Sequence, residues 1–150
     1  MNVLEKLEAI EDIRQLKSRY FRFVDTKDWD GLSTIFCEDA IFDARCARRP
    51  EPDPESAGSL YEGMDAVLAI LRKGIEWSTS VHHGHGHEIV IDSQDEAHGI
   101  IAMQDVMTWD RPKQAYLHGY GHYHEIYRRE HGAWRIWRTT LTRLRVDSDL

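Results

Sequence analysis

Near residue 81 the apolar residues of this chain stop recurring every three or four positions. They run instead in long extended stretches almost to the C-terminus. Four are predicted, at 82–92, 96–109, 115–130 and 133–145, separated by the turn signals "DSQDE", "DRPKQ" and "EHGA". Everything before them reads as helical, apart from one brief strand and one loop. Helices first and strands afterwards restrict the architecture to α+β, with helices packed on one face of a curved antiparallel sheet. A sheet folded over helices in this way leaves an apolar pocket open at one end, a common place for small-molecule sites.

The first helix is expected over about 2–23. Leu4, Leu7, Ile10, Ile13, Leu16, Tyr20 and Phe21, with Val24 beyond, recur at spacings of three and four. In "DTKDWDGLSTIF", Asp28 is placed to cap a short second helix with Trp29, Leu32 and Ile35 on one face. "DAIFDARC" reads as a brief strand, and "RRPEPDPESAGSL" as an exposed loop placed to cover a pocket mouth. "YEGMDAVLAILRKGIEW" gives a third helix with Met64, Val67, Leu68 and Leu71 inward. No internal repeat or composition break divides the 150 residues, so a single domain over 1–150 is expected.

A net charge of −7 argues against nucleic acid or an acidic membrane surface as a partner, since both need a basic field. The late basic run "YRREHGAWRIWRTTLTRLR" reads as a solvated strand face. The two cysteines, Cys37 and Cys46, have neither CxxC nor metal-finger spacing, which favours a reducing compartment. The N-terminus has no apolar signal core and no apolar run is long enough to span a bilayer. A soluble, cytoplasmic protein is the expectation.

Two features carry chemistry. Asp25 falls at the end of the first helix, on or beside the apolar stripe, where it either caps backbone or points into the interior. "VHHGHGHEIVID" places four of the nine histidines within six positions. Strict alternation would put His83, His85 and His87 on one face with Ile89 and Ile91, and His82 opposite. Three imidazoles on one face suggest a metal centre, although no carboxylate-bearing ligand pattern joins them. Gly84 and Gly86 make the strand easy to bulge, so the alternation need not hold. The catalytic reading needs one histidine only: a neutral imidazole whose second nitrogen is held by a buried aspartate.

In the order "IEDIRQLKSRYFRFVDTKDWDGLSTIFCEDAIFD", "YEGMDAVLAIL", "VHHGHGHEIVID", "DEAHGIIAM" and "GHYHEIYRREHGAWRIWR", the chain resembles SnoaL-like domains of the nuclear transport factor 2-like superfamily over about 8–145. Within that superfamily it looks most like the scytalone dehydratase and hexachlorocyclohexane dehydrochlorinase lyases. The resemblance implies a cone-shaped α+β barrel with an interior pocket, assembled as a homotrimer or homodimer. It also implies an Asp–His pair, which falls on Asp25 and His82, with His87 on a second histidine position.

The dehydratase's two tyrosine positions hold Val24 and Ala44 here, and its second catalytic histidine falls on Ile101. The dehydrochlorinase's last-strand cation has Arg138 as its nearest counterpart, sharing strand parity with Trp134 and Ile136. The expected activity is a cofactor-independent lyase or isomerase acting on a small, largely apolar, cyclic molecule. Asp25 and His82 would be catalytic. Tyr20, Val24, Trp29, His85, Ile101, Met103, Tyr123 and Arg138 would line the substrate, with Phe21, Phe42, Leu68 and His122 as further candidates. The alternatives are a ligand-binding domain without chemistry and a metalloprotein built on the histidine cluster.

Overall fold

The computed structural model of the protein describes residues 1–48, 59–110 and 115–149. Helix α1 (Val3–Thr26) opens with a capping box. The Asn2 side chain accepts the Glu5 N–H at 2.9 Å, and the Glu5 carboxylate accepts the Asn2 N–H at 2.7 Å. Ile13, Leu16, Tyr20 and Val24 are buried at the expected spacing. Leu4 and Leu7, which share that stripe in sequence, are 65% and 57% exposed. The amphipathic pattern therefore extends two turns beyond the packed part of the helix.

The end of α1 lies three residues beyond the expectation, so Asp25 stands in its last turn. Lys27 closes it in the left-handed conformation (φ 60°), and the Asp28 N–H returns to the Phe23 carbonyl at 2.9 Å. Helix α2 (Trp29–Ser33) follows at once, with the Asp28 side chain accepting the Gly31 N–H at 2.8 Å.

The remaining elements are β1 (Phe36–Asp43), β2 (Leu60–Glu62), α3 (Met64–Ile75), β3 (Thr79–Ile91), β4 (Glu96–Trp109), β5 (Ala115–Glu130) and β6 (Ala133–Ser148). They form one open sheet in the order β2-β1-β6-β5-β4-β3, with β2 and β3 as its outermost strands among the described residues. The barrel-like curvature expected from sequence therefore stops short of closure. All neighbours are antiparallel except β1 and β6, a parallel pair that the antiparallel expectation did not contain. β1 also starts earlier than "DAIFDARC", and β2 lies at the end of the proline-rich stretch. Most of that stretch, and its expected role over a pocket mouth, lies outside the described residues.

β4 and β5 alternate strictly, burying Ile101, Met103, Asp105 and Met107 on one strand and Leu117, Tyr123, Glu125 and Tyr127 on the other. That inner face receives α1. The alternation is interrupted elsewhere, in β1 between Phe36 and Ile41, in β6 at Leu144, and at two places that bear on the site. In β3 the register shifts between His85 and Glu88, where Gly86 takes φ +52°. In β6, Ile136 pairs with Tyr127 but Arg138 pairs with Ile126, so Trp137 is an extra residue and parity flips.

Candidate active site

The last turn of α1 lies against the start of β3, and this brings Asp25 to His82. The two side chains meet with Nδ1 of His82 2.6 Å from Oδ1 of Asp25. The His82 backbone N–H donates to Oδ2 at 2.8 Å, and the Ser80 hydroxyl donates to Oδ1 at 2.9 Å. Burial alone would push the Asp25 carboxyl upward, but the His82 ring and backbone bonds, with Ser80, hold it below the ordinary carboxylate range. An ionised carboxylate only accepts, so the proton in the 2.6 Å bond belongs to Nδ1 of His82. In the neutral imidazole Nε2 is then the lone-pair nitrogen, and no described residue hydrogen-bonds it. The His82 side chain is 7% exposed and that of Asp25 21%.

Lys27 anchors this arrangement. Its ammonium donates to the Ser80 hydroxyl at 2.9 Å, leaving the Ser80 proton for Asp25. Partial burial lowers the Lys27 ammonium from its ordinary range, more than the charge of Asp25 raises it. Neither Ser80 nor Lys27 was singled out from sequence. The nearest signal for Ser80 was its place two residues before His82, on the same strand face.

Two buried ion pairs share the inner face with the dyad, and both escaped the sequence reading. Asp105, directly opposite His82 across β3 and β4, receives both terminal nitrogens of Arg143 at 2.9 and 2.8 Å. Arg143 also donates to the Ala47 carbonyl at 2.9 Å. A Cβ on Gly119 would overlap both members of the pair, so glycine there leaves the guanidinium its space. Deeper along α1, Lys17 donates to Glu125 at 2.5 Å, with both side chains fully buried. Glu125 also accepts from Tyr127 at 2.7 Å and Thr139 at 3.0 Å. The Lys17 ammonium stands 3.6 Å from the Tyr123 ring centre and 4.0 Å from that of Tyr20. Burial lowers the Lys17 ammonium from its usual range, against the pull of Glu125.

Of the expected lining residues, Tyr20, Val24, Ile101, Met103 and Tyr123 are all buried between α1 and the sheet. Phe21 lies over Gly84, whose Cβ would come within 2.5 Å of its ring. Trp29 is half-buried, with the Arg72 guanidinium 5.6 Å above it. Arg138 is not brought in. The bulge at Trp137 reverses its parity, and it sits 3.5 Å from Asp43 while Arg143 takes the inward position. His85 and His122 also depart from expectation, because both stand on the outer face.

The same β3 bulge separates the three histidines of the metal reading. His83 and His85 face outward, whereas His87 turns with Ile89 and Ile91 to the helix side. Among the described residues, three potential ligand atoms gather only at Cys37, Asp39 and Glu130. Burial and the neighbouring Glu130 push the Cys37 thiol up to about 12, and Arg128 and Trp137 already donate to Asp39. That donor set does not suit a metal ion. A recess of about 310 Å³ bounded by Met1, Glu5, Glu8, Asp12, Gln94 and Arg129 lies at the far end of α1. At 1.5 Å per residue that end is roughly 30 Å from Asp25.

An open curved sheet with helices on one face is the nuclear transport factor 2-like architecture, and solved structures share it over nearly the whole chain. A protein provisionally named a scytalone dehydratase, from Novosphingobium aromaticivorans, superposes with a TM-score of 0.83 at 18% identity, covering 97% of this chain and 91% of its own. A type 2 hexachlorocyclohexane dehydrochlorinase gives 0.81 at 16% identity, covering 99% and 94%. A Mycobacterium tuberculosis protein of unknown function gives 0.74 at 24% identity, covering 97% and 77%. The family model of the SnoaL-like domain matches residues 5–140, and the chain belongs to that family.

Proposed function

We propose that this chain is a lyase or isomerase that removes a proton from a small, largely apolar, cyclic molecule, with His82 as base and Asp25 as its orienting partner. The observation that carries this reading is the 2.6 Å bond between Asp25 and Nδ1 of His82, which in the neutral imidazole leaves Nε2 with its lone pair. Nε2 takes the proton from a carbon next to a carbonyl or a leaving group. The C–H electron pair forms the new double bond. In an elimination the leaving group departs with its own electron pair, and in an isomerisation the imidazolium returns the proton to another carbon. The carboxylate of Asp25 stabilises the imidazolium as it forms. A base positioned in this way contributes about 10²- to 10⁴-fold in rate.

Charge that develops on a substrate oxygen needs donors already in place. The inner face beside His82 offers Arg143, backed by Asp105, together with the phenols of Tyr20 and Tyr123. Both phenols are held protonated by burial, so each is a donor at any physiological pH. The dehydratase-like and dehydrochlorinase neighbours are named for eliminations, which supports the same reaction class.

The test is a panel of cyclic ketones carrying β-hydroxyl or β-halide groups, followed by proton NMR in D₂O. Wild type should exchange or eliminate the activated C–H of at least one compound. Asp25→Asn and His82→Ala should each lose about 10²-fold or more. If both variants keep full turnover, the dyad is not the base. Saturable binding of a compound with neither exchange nor elimination would favour a ligand carrier on the same fold.

A further inference from the structure

Lys27 closes α1 at a place that ordinarily belongs to glycine. Its φ of 60° lies in the left-handed region, which glycine enters freely and a residue with a Cβ enters against steric resistance. Among the described residues the one other non-glycine residue with positive φ is His131, in the turn between β5 and β6. The closure itself needs no side chain. The Lys27 backbone N–H reaches the carbonyls of Phe23 and Val24, and glycine would keep both contacts. The ammonium is disfavoured too, because part of its hydration is lost and the described residues set no carboxylate directly against it. A lysine retained against both its backbone and its burial points to a function for the side chain.

The contacts of that side chain indicate the function. Among the described residues the Lys27 ammonium has two polar partners, the Ser80 hydroxyl at 2.9 Å and the Asp25 carbonyl at 3.3 Å. An ammonium only donates, so the Ser80 oxygen accepts from it and the single Ser80 proton is turned to Oδ1 of Asp25, 2.9 Å away. Ser80 is buried on β3 two residues before His82. The carboxylate is therefore pinned at both oxygens from one strand, by Ser80 and the His82 ring at Oδ1 and by the His82 backbone N–H at Oδ2. Without the ammonium the Ser80 hydroxyl is free to rotate, and nothing fixes which way its proton points.

We propose that Lys27 and Ser80 are positioning residues for the dyad: Lys27 sets the direction of the Ser80 hydrogen bond, and Ser80 holds Asp25 in the orientation that fixes the tautomer of His82. The proposal deepens the reading of His82 as base and rests on it. Neither residue touches the reacting atoms. Each acts through the one in front of it, from ammonium to hydroxyl to carboxylate to imidazole.

Lys27→Gly tests this most sharply, since it keeps the backbone closure and removes only the side chain. Its urea midpoint should equal or exceed that of wild type, because glycine relieves the left-handed strain. In long-range proton–nitrogen spectra of the imidazole at neutral pH, its ratio of Nδ1–H to Nε2–H His82 should nonetheless fall about tenfold, the worth of one hydrogen bond to a charged group. Ser80→Ala should show the same fall, and Ser80→Thr, which restores the hydroxyl, should recover the wild-type ratio. On any compound that wild type turns over, kcat of Lys27→Gly and Ser80→Ala should drop about tenfold with KM held within about twofold.

An unchanged tautomer ratio in Lys27→Gly or in Ser80→Ala overturns the proposal. So does a Lys27→Gly protein that loses stability and tautomer preference together, as a merely structural lysine would. A ratio that Ser80→Thr leaves at the Ser80→Ala value overturns the role of the hydroxyl. The spectra need no substrate, which separates this proposal from the one beneath it. If the ratios fall as expected while kcat stays at the wild-type value, the positioning stands and His82 is not the base.

Discussion

Removing the Glu125 carboxylate should strand the Lys17 ammonium in the centre of the molecule. The Lys17 side chain is 0% exposed, and its described polar partner is Glu125 at 2.5 Å. Breaking a buried ion pair from one side costs about 3–5 kcal/mol. Neutralising a lysine at pH 7 sets a ceiling on the charge part of that cost, about 4.6 kcal/mol from its ordinary pKa. Glu125→Leu also orphans the hydroxyls of Tyr127 and Thr139, at about 1 kcal/mol each. A loss of this size is a large fraction of a domain's total stability of about 5–15 kcal/mol.

The double variant Lys17→Met/Glu125→Leu removes both charges and should recover most of the loss, since apolar replacement of a whole buried pair is often neutral. The single variant has a further signature in pH. A lysine held neutral in the fold binds its proton only when unfolded, so stability should rise with pH, by about 1.4 kcal/mol per unit, up to the unfolded pKa near 10.4. Urea unfolding of wild type, single and double variants at about pH 7 and about pH 9 measures all of this. If Glu125→Leu costs under about 1 kcal/mol, or if single and double variants lose equally, the pair is not the buried, mutually dependent unit described.

Other substitutions probe the frame of the site. Gly84→Ala places a methyl within 2.5 Å of the Phe21 ring and should cost about 1–3 kcal/mol, partly recovered by Phe21→Leu; chemical denaturation of both variants measures it. Asp25 is held ionised below its unfolded pKa, so its contribution to stability is fully present above about pH 4 and is lost as pH falls through the lower folded value. Asp25→Asn should therefore flatten the acid limb of the stability–pH curve. The Cys37 thiol, buried and raised to about 12, should resist a disulfide reagent until the protein unfolds, whereas half-buried Cys46 should react in the native state. Mass spectrometry of the labelled peptides distinguishes the two.

The periodicity of the sequence predicts α1, α2, α3 and all four long strands, because each buries one regular face. It misses what irregular geometry decides. Residues two apart on a strand share a face only if no extra residue intervenes. One extra residue near Gly86 puts His87 opposite His83 and His85, and another at Trp137 turns Arg138 out and brings Arg143 in. The parallel β1–β6 pairing depends on contacts between residues about 100 positions apart, which no local pattern encodes. Asp25 and His82 were joined by resemblance to the SnoaL-like family, since neither position alone announces the other.

Lys17 and Glu125 left a legible mark that the search for apolar stripes passed over. Lys17 sits between Ile13 and Tyr20 on the buried helix face, and Glu125 sits between Tyr123 and Tyr127 on the buried strand face. A charge inside each of two core patterns, with opposite signs, is what a buried pair looks like before folding.

The most direct test of the proposed base is the tautomer of His82, read from long-range proton–nitrogen correlation spectra of the imidazole at neutral pH. Asp25 should hold His82 in the Nδ1–H form with Nε2 unprotonated, and Asp25→Asn should abolish that preference. An Nε2–H imidazole in the wild-type protein, or a tautomer indifferent to Asp25→Asn, would contradict the account.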